Sequence, residues 1–479
     1  MFIINLIAVP EIFISLNSLI ILLISVFLKK QSFKFSLYAS IIILIFGIFL
    51  IILNIDNSYF NYKYLFSSNP FINIFKVLVV VSTILSLLIL ENYFKDLNIE
   101  RFEIPILLLF SVLGMMIMIS ANNLMTMYLG IELQSLSLYV VASVQKNSLK
   151  SSEAGLKYFI LGALSSAFLL YGCSLIYGFT GSTNFNEINQ TIKSLPEMNI
   201  GITFGLIFII VALAFKISAV PFHMWTPDVY EGSPTPITAF FTMAPKIAAI
   251  GILVRLLYEP FGNFWSEWNQ IIIFISIASM IIGALAAIVQ DNIKRLLAYS
   301  SIGHIGYILI GVVSGSEDGI QSIIVYLCIY IAMNIAIFSI LLSVKINDTY
   351  IENISSISGL SKKNPLISFV LTIMMFSMVG IPPLAGFFGK FYIFMSAINS
   401  GYLFLAIIGV LSSVVAAFYY IRIIKVIYFE EPTNEFQIIL NYKVKVVIFL
   451  SSIFISFFII YHSIIIKFSD FGTFYFLVK

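Results

Sequence analysis

The chain has 479 residues, 60% hydrophobic and 10% charged, with a formal net charge of +3 and a mean hydropathy of +1.04. A soluble domain carries roughly 25% charged residues, so this composition excludes a soluble class and points to an all-α, polytopic membrane protein. The small net charge, with no basic patch, argues against a nucleic-acid binder, and two cysteines, Cys173 and Cys328, are too few for an iron–sulfur cluster, which takes about four thiolates.

The first apolar run, centred near Leu19, is followed rather than preceded by its basic residues, Lys29, Lys30 and Lys34, and so reads as a retained helix rather than a cleaved leader. Windows near the ~20-residue spanning length continue down the chain, centred near Leu44, Val81, Leu113, Leu133, Leu164, Ile209, Ala244, Met280, Ile305, Ile331, Phe376–Phe388, Val414 and Phe457. That makes about 14 transmembrane segments. The longest connections, 54–70, 91–103, 180–200, 344–364 and 427–443, are too short for a soluble domain, so residues 1–479 form one membrane domain.

Lysine and arginine placement supports this count. With the amino terminus outside and loops alternating, Lys29, Lys30, Lys34, Lys95, Arg101, Lys146, Lys150, Lys294, Arg295, Lys345, Lys362, Lys363, Arg422, Lys425, Lys443 and Lys445 fall on the cytoplasmic side. Lys63, Lys193, Arg255, Lys467 and Lys479 fall opposite, a ratio of 16 to 5 that satisfies the positive-inside rule and puts both termini in the periplasm of a bacterial inner membrane.

Five lysines remain inside spans, and Glu132 is the acid that joins them. Lys76, in the outer third of segment 3, reads as snorkelling to the interface. Glu132 lies about 18 Å from the end of segment 5 at 1.5 Å per residue, with Ser135 and Tyr139 on its face. Lys157, near the cytoplasmic end of segment 6, reads either as snorkelling or as functional. Lys216 closes the apolar run of segment 7 and is followed by Pro221, which removes a backbone donor; His223 beside it reads as structural. Lys246 is ~16 Å into segment 8, with Thr242 and Thr238 at i−4 and i−8. His304, equally deep in segment 10 with Ser300 and Tyr307 on its face, reads as a relay group or as a satisfied bundle histidine. Lys390 follows "GIPPLAGFFG" in segment 12, and His462 reads as incidental.

An ionised side chain at mid-membrane costs roughly 2.5–3.5 kcal/mol even on the lenient insertion scale. Several of them on inward stripes imply a polar path through the bundle, in which lysines, a histidine and a glutamate pass protons. The breaks after Lys216 and at "GIPPLAGFFGK" (Gly380 to Lys390) come five segments apart. If segments 4–8 and 9–13 are two inverted five-helix units, spanning 104–258 and 270–426, each break is fourth in its unit, a pattern that marks ion sites in transporters. Helices 1–3 (1–100) precede them and a last helix (444–467) follows. No metal-ligand spacing or nucleophile–base motif competes with this reading.

The blocks "GIELQSLSLYVVAS" (130–143), "EAGLKYFILGALSSAFLLYG" (153–172), "FKISAVPFHMWTPDVYEGSPTPITAFFTMAPKIAAIGILVR" (215–255), "QDNIKRLLAYSSIGHIGYILIG" (290–311) and "GIPPLAGFFGKFYIF" (380–394) resemble the antiporter-like membrane subunits of proton-pumping NADH–quinone oxidoreductase, respiratory complex I. "WTPDVYEGSPTP" and Lys390 are similar to subunit N in particular; subunit M has glutamate at the latter position, and Mrp-type sodium/proton antiporters share the lysine-plus-proline core. The resemblance implies fourteen helices with two inverted repeats. It implies roles for Glu132 as channel glutamate, Lys216 as its paired lysine, Lys157 as a modulator of that pair, Lys246 as central lysine, His304 as bridging histidine and Lys390 as terminal lysine. It further implies that NAD, FMN, iron–sulfur clusters and quinone are bound by partner subunits and none by this chain. The partners implied are other complex I subunits and membrane lipid, in a bacterial inner membrane or, if organelle-encoded, the mitochondrial one. An Mrp-like cation/proton antiporter working without a dehydrogenase module is the alternative.

Overall fold

A computed structural model describes residues 8–28, 31–54, 59–61, 65–195, 199–432 and 435–477. Lys29, Lys30, Lys63, Lys479 and both chain ends, on which part of the expected topology rests, lie outside the described residues. The described residues are mostly helical, as the succession of apolar windows of spanning length implies. The first helices are α1 (Val9–Phe27), α2 (Ser32–Ile52), α3 (Pro70–Asp96), α4 (Glu103–Ser120), α5 (Leu124–Ala142) and α6 (Leu149–Thr180). Then come α7 (Phe185–Lys193), α8 (Ile200–Ile217), α9 (Trp225–Gly232), α10 (Thr235–Tyr258), α11 (Trp265–Ile288), α12 (Ile293–Val313) and α13 (Glu317–Leu341). The last are α14 (Leu360–Lys363), α15 (Pro365–Val379), α16 (Ala385–Asn399), α17 (Leu403–Phe429), α18 (Tyr442–Ser456) and α19 (Phe458–Leu477).

Among the described residues twelve helices are long and apolar enough to cross a membrane, and α18 and α19 form an apolar pair bent by 91°, which counted as one span makes thirteen. The short halves α15 and α16 stand where segment 12 is expected. The bend in the last segment was not legible, since no proline or glycine marks it; the Tyr461 hydroxyl turns back onto the carbonyls of Ile453 and Phe454 there.

The connections carry more structure than their composition suggests. Residues 180–200 include α7, which buries Phe185, Ile188 and Ile192 and turns its polar face outward. Connections 344–364 and 427–443 meet in a small antiparallel sheet of β3 (Val344–Ile346), β4 (Thr349–Tyr350) and β5 (Phe436–Ile438), in the order β4-β3-β5. It follows β1 (Tyr59–Asn61) and β2 (Phe66–Ser68), a separate hairpin ahead of α3.

Burial divides the bundle. Outward faces of α1, α2, α6 and α17 present Leu23, Phe27, Ile42, Phe159, Phe404 and Phe418, the pattern of a lipid-facing surface. The helices α10, α12 and α13 are almost wholly enclosed by the others. Those three supply Lys246, His304 and the neighbouring Tyr307, Tyr326 and Tyr330, while Tyr230 comes from α9 and Tyr420 from α17. On the neighbouring pair α4 and α5, a Cβ at Gly114 would stand 2.5 Å from the Gln134 nitrogen, so only glycine lets these helices approach so closely.

Candidate functional site

Both expected breaks are present, and each spends its freed backbone groups on a named side chain. The helix α8 stops one residue after Lys216, at Ser218 in the left-handed region (φ 63°). The Val220 N–H donates to Ser279 Oγ at 2.9 Å, and the Trp225 indole N–H donates to the Phe215 carbonyl at 3.0 Å. In the second break, α15 ends at Gly380 (φ 94°), the Gly386 N–H donates to Ser377 Oγ at 3.0 Å, and Lys390 Nζ donates to the carbonyls of Met378 and Val379 at 3.0 and 2.8 Å. Irregular backbone at membrane depth needs such partners. In the second break the partner is the ionisable group itself.

Lys216 is buried and donates to Ser135 Oγ on α5 at 2.7 Å. Glu132 stands one turn away on the same helix, with Oε1 buried and unpartnered. Among the described residues no ion pair joins the two: the expected pair shares one neighbourhood but is open in this conformation.

Lys246 is 1% exposed and donates to Ser301 Oγ on α12 at 2.7 Å, with its nitrogen 5.5 Å from the centre of the Tyr230 ring. Thr238 and Thr242, expected to form a polar stripe with it, instead spend their hydroxyls on backbone carbonyls of Tyr230 and Ala239 at 3.0 and 2.6 Å. The residue before the lysine, Pro245, removes one backbone donor from the ladder of α10, which nonetheless runs as one helix from Thr235 to Tyr258.

Ser301 and His304 lie three residues apart on one face of α12. His304 is held between two tyrosine hydroxyls, Nδ1 at 2.6 Å from Tyr326 and Nε2 at 3.1 Å from Tyr420. Ser300 hydrogen-bonds Tyr420, and the Tyr307 ring lies 5.0 Å below the Lys390 nitrogen. A cavity of about 10 Å³, room for roughly one water molecule, is lined by Ser300, His304, Tyr307, Lys390 and Tyr420 among others. His304 and Lys390 thus share one small cavity, with Lys246 bonded to the same helix α12 one turn away through Ser301, in one enclosed polar region. Tyr326 and Tyr420 belong to it and carried no signal of their own among 25 tyrosines.

Lys157 lies apart from that core. It is 41% exposed and pairs with Glu153 at 2.7 Å and Asp228 at 2.6 Å, in a cluster where Arg295 holds Asp228 and Glu231, and Lys150 holds Glu231. Three cations sit elsewhere than expected. Lys76 does not snorkel: it is 1% exposed and pairs with Glu11 at 2.6 Å, so a second acid joins the buried charges. Arg255 is not in a loop but fully buried in α10, bonded to Glu259 at 2.8 Å and to the carbonyls of Ile119 and Ala121. Lys294 is buried against the Ser233 carbonyl at 3.0 Å. His223 is buried at the first break, and His462 stacks on Phe388.

With this geometry in hand, comparison with known proteins is specific. Residues 121–416 match the family model described as NADH:quinone oxidoreductase/Mrp antiporter, TM. NADH-quinone oxidoreductase subunit N of Pelagibacter ubique is 54% identical over 430 residues, 89% of this chain and 90% of that one. A chain of respiratory complex I from Thermus thermophilus superposes with a TM-score of 0.82 at 27% identity, over 96% of this chain and 98% of that one. A chain of the Mrp complex from Dietzia shares the fold, with a TM-score of 0.85 at 19% identity over 98% and 97% of the two chains.

Proposed function

The chain belongs to the family of NADH-quinone oxidoreductase subunit N, and from that membership we propose that it moves protons through Lys246, His304 and Lys390, loaded under the electrostatic control of Glu132 and Lys216. It is a proton-translocating, multi-pass membrane subunit of a complex I-type enzyme and partners that enzyme's other subunits. In the proposed path a proton taken up from the cytoplasm loads Lys246, passes by way of His304 to Lys390 and leaves on the opposite side. Electron transfer from NADH to quinone, in partner subunits that bind the NAD, FMN, iron–sulfur and quinone groups, drives the cycle. The setting is a bacterial inner membrane with both termini outside.

One observation carries this reading: three ionisable side chains, each at most 6% exposed, gather around α12, where Lys246 donates to Ser301, two tyrosine hydroxyls hold His304, and Lys390, held by backbone carbonyls, lines a small cavity together with His304. Charge at that depth is costly and gives the fold little in return. Lys216 has one partner on α5, the Ser135 hydroxyl it now holds, and one turn away on that helix stands the unpartnered Glu132 carboxylate. Movement between them is the proposed switch. In Lys157 the same reading sees a lysine that tunes that switch through Asp228.

The division into units 104–258 and 270–426 is part of the proposal. Asn123 and Asn292 cap α5 and α12 and bridge to Asn184 and Asn353, and both pairs are offset by 169 residues (292 − 123 and 353 − 184). The Mrp-like reading draws on the shared fold, but 54% identity to a subunit N against 19% to the Mrp chain favours the complex I reading. Alanine at Lys246 or at Lys390 in the assembled complex tests the path: normal NADH-driven proton pumping in both variants refutes it. Sodium/proton exchange by vesicles holding this chain alone would favour the Mrp-like reading.

A further inference from the structure

We propose that Tyr326 is a positioning residue that fixes the tautomer of His304 and ties it to the helix carrying Lys390. The proposal rests on the relay reading above.

Hydrogen-bond bookkeeping carries it. A neutral imidazole has one nitrogen that donates and one that accepts. Nε2 faces the Tyr420 hydroxyl, which has the Ser300 hydroxyl as a second partner and so serves either role without loss. Nδ1 faces the Tyr326 hydroxyl, and among the described residues that hydroxyl has no second hydrogen-bond partner. Tyr326 is 3% exposed. Were it to accept from an Nδ1–H, its own proton would be left buried and unpaired, at a cost of roughly 1–3 kcal/mol. Tyr326 therefore donates to Nδ1. The ring proton of neutral His304 then sits on Nε2, aimed at Tyr420 and at the cavity shared with Lys390.

The second half of the proposal concerns what holds Tyr326. Its ring lies against Gly389, the residue before Lys390 on α16, where an added Cβ would stand 3.0 Å from Tyr326 Cδ2. The helix that presents the lysine thus also holds the tyrosine that orients the histidine. A shift of α16 moves both ends of the His304–Lys390 step together.

The test is a set of assembled complexes in proteoliposomes, read as protons translocated per NADH oxidised: the parent, Tyr326→Phe, His304→Ala, the double variant and Lys246→Ala. Tyr326→Phe is expected to assemble and to lower the share of proton yield that His304→Ala abolishes by about fivefold, the ratio one ordinary hydrogen bond sustains between two states. In the His304→Ala background it should cause no further loss. Should Tyr326→Phe fail to assemble, Gly389→Ala, which presses on the ring and spares the hydroxyl, should show a smaller loss that likewise vanishes without His304. Parent-level yield in Tyr326→Phe, or a loss that adds in full to that of His304→Ala, overturns the proposal while leaving the relay standing. Parent-level yield in both Lys246→Ala and His304→Ala overturns the relay itself.

Discussion

The Tyr230 hydroxyl donates at 3.1 Å to the Phe241 carbonyl, the carbonyl that Pro245 leaves without its helical partner four residues on. The same ring lies beneath the Lys246 nitrogen. One tyrosine therefore both closes the gap in α10 and walls the central lysine. Tyr230→Phe keeps the wall and loses the hydroxyl, leaving a buried carbonyl unpaired at roughly 1–3 kcal/mol. The expected outcome is a complex that loses this subunit at a lower temperature than the parent, measured by subunit retention after graded heating. Unchanged retention would show that the carbonyl finds another partner.

The pair between Glu11 on α1 and Lys76 on α3 is buried on both sides. Removing one partner strands the other charge and is expected to destabilise by about 3–5 kcal/mol, whereas replacing both by apolar residues of similar volume is near neutral. Lys76→Met alone should therefore deplete the chain from assembled complexes, and Lys76→Met with Glu11→Leu should restore it. A double variant no better than the single one would mean that the pair is needed for something beyond its mutual neutralisation.

At Gly386 an added Cβ would stand 1.8 Å from the Ser377 carbonyl oxygen, a backbone atom that cannot swing aside. Gly386→Ala should force α15 and α16 apart, at the roughly 1–3 kcal/mol typical of overpacking, and shift the carbonyls that hold Lys390. Both assembly and proton yield should fall. Full yield in the complexes that form would show that the geometry of this break is not critical for Lys390.

Lys157 is partly exposed and its pairs with Glu153 and Asp228 are of the surface kind, worth about 0–1 kcal/mol each. Lys157→Met should leave assembly intact and lower proton yield less than Lys216→Met does. Its effect should shrink at high salt, since screening already weakens such pairs. An effect as large as that of Lys216→Met would place Lys157 on the path.

Much of this site was legible because charge in hydrocarbon stands out. Glu132 and Lys246 could be placed in depth from helical rise, with His304 as deep, while Lys216 and Lys390 stood out beside the breaks at Pro221 and in "GIPPLAGFFGK". What was hidden depends on contacts between distant helices. Glu11, in the first turn of α1, looks like a terminal residue until α3 brings Lys76 to it. Arg255, in the last turn of α10, looks like a loop cation until the ends of α4 and β2 close over it. The partners of His304 are tyrosines 22 and 116 residues away, and no periodicity announces them. The hydroxyls of Thr238 and Thr242 show the converse: a polar stripe read correctly from spacing whose groups are spent on backbone.

The most direct measurement is the number of protons translocated per NADH oxidised by the assembled complex in sealed vesicles, compared between the parent and Lys390→Met. A lower ratio with an intact complex is predicted, because the methionine fills the same space and cannot hold a proton. A ratio equal to the parent's would contradict the proposal that protons cross this chain through its buried amines.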